Sequence, residues 1–127
     1  MDPQSKESAE TRPLTGEERK LTEWMLLHGT DEARSFLEQL SRAEATLWRC
    51  PCGCASFNLK VEGYPPAPPG VEVLADFTFS QEGETKGIFV YQSGGILSGV
   101  EVVGYEGDAP TQLPDLDQLK SLPNSQS

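Results

Sequence analysis

Basic residues almost vanish from the second half of this chain. Between Val61 and Asp117 stand Glu62, Glu72, Asp76, Glu82, Glu84, Glu101, Glu106, Asp108, Asp115 and Asp117, against a single lysine, Lys86, so the segment carries −9. The whole 127-residue chain carries −10, from 20 acidic and 10 basic residues. A surface of that sign repels phosphate, which argues against nucleic acid and anionic membrane and favours a basic protein partner. Solubility alone is the simpler use of the same charge.

Histidine is scarcer still, with His28 the only one. No apolar run approaches the roughly 20 residues that cross a bilayer. The N-terminus lacks the basic and apolar regions of a signal peptide, so the expected location is cytoplasmic. There cysteines persist as thiols or metal ligands. Serine hydrolase, P-loop and Rossmann spacings are missing, and Ser93-Gly94-Gly95-Ile96 lacks the flanks of any of them. The carboxylates are scattered, so no acid/base pair stands out. The balance leans away from an enzyme.

Apolar residues make up 36% of the chain. Residues 1–13, MDPQSKESAETRP, and residues 121–127 hold almost nothing to bury and are expected to stay loose. A single domain over residues 14–120 remains, with no internal repeat.

Thr15-Gly16-Glu17-Glu18 has capping-box spacing with Thr15 as N-cap. Leu21, Trp24, Met25 and His28 follow at helical spacing, with Gly29 as a stop and His28 as a capping or core-edge residue. A second helix starts at Thr30 or Asp31 and aligns Ala33, Phe36, Leu37, Leu40 and Ala43. The two form a helical hairpin that needs an apolar surface to cover. Strands follow. Ala45 to Arg49 is a short candidate, and Phe57, Leu59 and Val61 alternate with polar neighbours. The Tyr64-Pro-Pro-Ala-Pro-Pro-Gly70 stretch is a stiff connecting loop. Val71 to Phe79 alternates again, and Gln81 to Thr85 is a polar turn. Gly87 to Gln92 is apolar on both faces, as a central strand should be. Ser93-Gly94-Gly95 is a hairpin turn, and Ile96 to Tyr105 is the last strand. The expected fold class is α+β: an N-terminal helical hairpin packed on an antiparallel β-meander of about four to five strands. Phe57, Leu59, Phe77, Phe79, Ile88 and Val90 would face the helices.

All three cysteines fall in Cys50-Pro51-Cys52-Gly53-Cys54. Zinc sites in small domains combine two knuckles into four ligands, whereas here one Cys-x-Cys-x-Cys run stands alone. Cys50, Cys52 and Cys54 would bind zinc only if His28, a carboxylate or a second chain completed the set. The CPCG stretch resembles the start of the SEC-C zinc motif, but the Ser-Gly and later Cys and His ligands of that motif are absent. A thioredoxin-like site needs a helix N-terminus, and this stretch lies between strands. A turn explains more of the residues: Pro51 and Gly53 form the corner of a three-residue hairpin loop, with Cys50 and Cys54 facing each other across it, close enough for a disulfide on oxidation.

Three further stretches carry a resemblance. Arg49-Cys50-x-Cys52-Gly53-Cys54-x-Ser56-x-x-Leu59, the run Gly95 to Val102 (GILSGVEV), and Leu113-Pro114 with its following Asp-x-x-x-Leu are similar to a set of small uncharacterised bacterial single-domain proteins. These also begin with a helix like Leu14 to Arg19, and the similarity covers about residues 13–120. It implies a single bacterial domain and no particular activity. Small acidic bacterial proteins include immunity proteins against toxins. The expected function is therefore a non-enzymatic protein-interaction or immunity-like module with an acidic surface, and Glu72, Asp76 and Glu101 on the strands are its candidate binding residues. The alternative is a small metal-binding or thiol-redox protein centred on Cys50, Cys52 and Cys54.

Overall fold

The computed structural model describes residues 11–48, 51, 53–105 and 107–121. Cys50, Cys52 and Glu106 lie outside the described residues.

The capping box forms as its spacing predicts. The Glu18 N–H donates to Thr15 Oγ1 at 3.0 Å, and the Thr15 N–H donates to Glu18 Oε1 at 3.0 Å. Helix α1 runs from there over Gly16–Leu27, with His28 as C-cap. Its covered stripe is wider than the sequence periodicity indicates, because Thr22 and Leu26 are buried beside Leu21 and Met25. Thr22 tolerates burial by donating its hydroxyl to the Glu18 carbonyl at 2.7 Å. The expected second helix is a tight 3-10 stretch, Glu32–Phe36, that relaxes into a short α2, Leu37–Ser41. Its stripe is as expected: Ala33, Phe36, Leu40 and Ala43 are buried, although Ala43 already belongs to a strand.

The strands are β1 (Thr11–Arg12), β2 (Ala43–Thr46), β3 (Phe57–Val61), β4 (Glu72–Gln81), β5 (Glu84–Ser93), β6 (Ile96–Gly104) and β7 (Lys120–Ser121). They form one antiparallel sheet in the order β1-β2-β3-β6-β5-β4-β7. The class is thus α+β with helices on one face of an antiparallel sheet. Seven strands replace the expected four to five because two-residue strands close both edges. One of them, β1, draws Thr11 and Arg12 out of the N-terminal stretch expected to be loose. The topology is also more than a meander. Strands β4, β5 and β6 follow one another, but β3 lies beside β6, a Greek-key arrangement. The proline-rich segment makes the long connection from β3 to β4. It rests on the β5–β6 turn, where Ser93 Oγ donates to the Pro69 carbonyl at 3.2 Å.

Two hairpin turns fix the register of the meander. Gln81 pairs with Glu84 and Ser93 with Ile96, leaving Glu82-Gly83 and Gly94-Gly95 as two-residue loops. All four loop residues have positive φ, between 54° and 84°, the backbone of a type I′ turn. The inward row Phe77–Ile88–Val102 and the row Ala75–Val90–Val100–Phe57 then face the helices. Every one of these side chains is at most 3% exposed, as are Met25 and Leu26 above them, so the core is continuous. Trp24 closes it, its ring centroid 5.2 Å from that of Phe77.

The expected three-residue hairpin loop at the cysteines rests on Cys50 and Cys52, which lie outside the described residues. Pairing runs through Ala43↔Val61 and Ala45↔Leu59, and the strands end at Thr46 and Phe57. In the connection between these strands the described residues carry no ladder. On the other edge of β3, Phe57 and Asn58 pair with Val100 and Gly99 of β6, and the Ala55 N–H donates to the Pro110 carbonyl at 2.9 Å. Gly53 does take the left-handed backbone foreseen for it, at φ 84°.

Candidate binding face

Strand alternation leaves the opposite side of the sheet without a helix, and its central row is made by three strands. Asp76 on β4 pairs with Phe89 on β5, which pairs with Glu101 on β6. Adjacent strands stand about 4.8 Å apart, so the two carboxylate-bearing positions lie about 10 Å apart with the phenyl ring between them. Two tyrosines close the row along the strand direction. Tyr91 follows Phe89 on the same face, with ring centroids 5.8 Å apart and planes tilted by 56°. Tyr105 approaches from the other end.

Glycine permits both tyrosines to lie down. A Cβ on Gly99 would stand 2.8 Å from Tyr91 Oη and 2.9 Å from the Phe57 carbonyl. A Cβ on Gly87 would stand 3.0 Å from Tyr105 Cζ. Each ring thus covers the bare backbone of a glycine, Tyr91 over β6 and Tyr105 over β5. The Tyr91 hydroxyl reaches Asn58 Oδ1 at 3.3 Å.

The electrostatics of this face are one-sided. Burial raises the Asp76 carboxyl above the ordinary range, since the charged form is the one that loses solvation. Burial, then the charge of Glu101, raises the Tyr91 hydroxyl, and burial, then the charge of Asp76, raises that of Tyr105. No cationic side chain among the described residues pairs with Asp76 or Glu101. Lys60, on the same face, donates instead to the carbonyls of Tyr64 at 2.7 Å and Val61 at 3.3 Å. Lys86, the only cation of the acidic segment, is buried toward the helix side, where it donates to Glu84 at 2.8 Å and to the Asp108 carbonyl at 2.9 Å.

Of the three binding residues expected from sequence, Asp76 and Glu101 therefore share one row, while Glu72 is engaged elsewhere. Glu72 accepts from Gln92 Nε2 at 2.6 Å, and Gln92 Oε1 accepts from the Gly95 N–H at 2.8 Å, which braces the β5–β6 turn. The aromatic members of the face were not identified from sequence. Their signal was the pairing of Phe89 and Tyr91 two residues apart, which a strand read as apolar on both faces conceals.

A groove of about 860 Å³ continues the face beyond Tyr91. Trp48, 46% exposed, and Pro66 to Pro69 line it, with Asn58 and Ser98 among its polar lining.

The cysteine stretch sits at another corner of the molecule. Cys54 is half-buried and donates its thiol to Ser56 Oγ at 3.3 Å; that oxygen also accepts from the Val102 N–H at 3.0 Å. Cys54 lines a polar recess of about 730 Å³ together with Thr15, Glu17 and Asp115 at the N-terminal end of α1. His28 caps the other end, its Nδ1 2.8 Å from the Trp24 carbonyl and its ring stacked on Trp24 at 4.1 Å. Twelve helical residues separate the two ends by about 18 Å, so His28 stands at the end of α1 away from Thr15 and Glu17, which line the recess with Cys54. No group of three metal-ligating side chains occurs among the described residues, and the zinc expectation at Cys50 and Cys52 lies outside them. Likewise, no described helix is long and apolar enough to cross a membrane.

The fold and face together define an α+β protein with a Greek-key antiparallel sheet, helices on one side and an acidic, aromatic open face on the other. Comparison with protein-family models, curated proteins and solved structures returns no match for the chain.

Proposed function

We propose that this chain is a non-enzymatic interaction module that binds a basic protein through the open face of its sheet. The observation that carries the reading is the Asp76–Phe89–Glu101 row: two carboxylates without a cationic partner among the described residues, held against aromatic rings. Partial burial opposes ionisation of Asp76, and no cation among the described residues offsets it, which supports a use in ligand binding. The charge of −9 over residues 61–117 steers a basic partner toward the protein. The reading takes a bacterial cell of origin from the resemblance to small bacterial single-domain proteins, and an immunity-like role, masking a basic toxin, fits the size and charge.

The test is affinity capture at low salt with the wild-type chain and with the double variant Asp76→Asn/Glu101→Gln. A partner held by the first and lost by the second supports the reading. No partner at low salt, or equal retention by both, contradicts it.

A second reading has one observation of its own, the half-buried Cys54 in a polar recess beside Glu17 and Asp115. In that reading the protein holds a metal such as zinc through Cys50, Cys52 and Cys54. Metal analysis of protein purified without added metal tests it, and a chain free of zinc removes it.

A further inference from the structure

We propose that the open face recognises arginine in preference to lysine: a guanidinium lies flat on Phe89, with one N–H edge toward Asp76 and the other toward Glu101. This deepens the interaction reading above and rests on it. Three features of the row point to a planar donor cation.

The first is the spacing. Carboxylate-bearing positions about 10 Å apart, with a phenyl ring midway, leave the width of a flat cation between them. A guanidinium presents five N–H donors in one plane and can meet a carboxylate on each side while its face stacks on the ring. An ammonium is a compact, strongly hydrated point and meets one carboxylate well while leaving the other unpaired.

The second is the aromatic surround. Phe89 and Tyr91 stand with centroids 5.8 Å apart, and Tyr105, 55% exposed, closes the opposite end over Gly87. Stacked arginine gains from this surface through cation–π attraction and through burial of its own weakly hydrated faces. A quaternary ammonium would gain from the rings and from the charge of the carboxylates as well, but it has no N–H to give them, so it forgoes the two hydrogen-bonded edges.

The third is charge. Asp76 and Glu101 have no cationic partner among the described residues, and the segment that contains them is strongly negative. An arginine-bearing partner supplies positive charge between the two carboxylates of the row.

The experiment uses the full chain labelled with ¹⁵N and three blocked tripeptides as probes: acetyl-Gly-Arg-Gly-amide and its lysine and citrulline counterparts. Amide shifts are followed by NMR as each is added at low ionic strength. The arginine peptide is expected to shift Asp76, Phe89 and Glu101 saturably, the lysine peptide to bind several-fold more weakly, and the neutral citrulline peptide not to saturate. Phe89→Leu should narrow the arginine–lysine gap by about two- to five-fold, the range of an exposed cation–π contact. Asp76→Asn should weaken arginine binding while the spectrum stays dispersed, which separates lost recognition from lost fold. Equal binding of the arginine and lysine peptides overturns the inference and leaves the basic-partner reading standing. Shifts that lie away from the row, or no saturable binding by either peptide, also overturn it. If in addition the double variant retains every captured partner, the interaction reading falls with it.

Discussion

Replacing Glu18 by Gln isolates one charge at the junction of β1, the N-cap and α1. Glu18 accepts a fork from Arg12, Nη1 at 2.9 Å and Nη2 at 2.8 Å, and its Oε1 also accepts from the Thr15 N–H. Glutamine is isosteric and can keep the bond from Thr15, so the substitution removes the charged fork and little else. The two side chains are 30% and 13% exposed, less than a surface pair and more than a core one. Their bidentate geometry places the loss at about 1 kcal/mol, the upper end of the surface range. For a domain of about 100 residues, that lowers Tm by about 4–8 °C. The pH dependence gives a second handle. Burial opposes ionisation of Glu18, but the Arg12 fork and the bonds from Thr15 outweigh it and hold the carboxyl below its usual value of 4.5. A depressed carboxyl contributes stability that is full above the unfolded value and is lost as pH falls through the folded one. Urea unfolding of the two proteins should differ at pH 7 and converge as pH drops below 4.5. Equal stability at pH 7, or a difference that survives undiminished in acid, would refute the assignment.

Other outcomes follow from the same structure. Asp76→Asn should stabilise the free chain at neutral pH, because a carboxyl raised by burial disfavours the fold once pH rises above its unfolded value of 3.8; the gain should vanish in urea unfolding at lower pH. Gly99→Ala places a methyl against the Phe57 carbonyl and the Tyr91 ring, so it should destabilise by about 1–3 kcal/mol in the same assay and displace Tyr91 from Asn58. Gln39→Ala deletes the amide that donates to the Gly95 carbonyl at 2.9 Å and accepts from the Leu97 N–H at 2.8 Å; thermal unfolding should show a loss of about 1–2 kcal/mol.

Local chemistry was legible in the sequence and distant pairing was not. The Thr15–Glu18 box, the alternation of Phe77 and Phe79, and the Gly94-Gly95 turn depend on neighbours a few residues apart, so periodicity and turn residues report them directly. The placement of β3 beside β6 is decided by which strand offers the better partner across some 40 residues, as Phe57 opposite Val100 shows, and no local pattern encodes that choice. Strands β1 and β7 are too short to alternate at all. The second helix carries the right stripe from Ala33 to Leu40 but is compressed into a 3-10 turn and a short α-helix before β2 begins. At the binding face, the charge of Asp76 and Glu101 was visible, but their union around Phe89 required the register of three strands. Glu72 carries the same charge and is spent on Gln92, a distinction composition cannot draw.

The salt dependence of partner binding, compared between the wild-type chain and Asp76→Asn/Glu101→Gln, tests the central claim most directly. Exposed charges are screened beyond about 10 Å at 0.1 M salt, so wild-type affinity should fall steadily as salt is raised from that level. The double variant should bind more weakly at low salt and respond less steeply. Affinity that is indifferent to salt, or identical slopes for the two proteins, would contradict an interface built on this row.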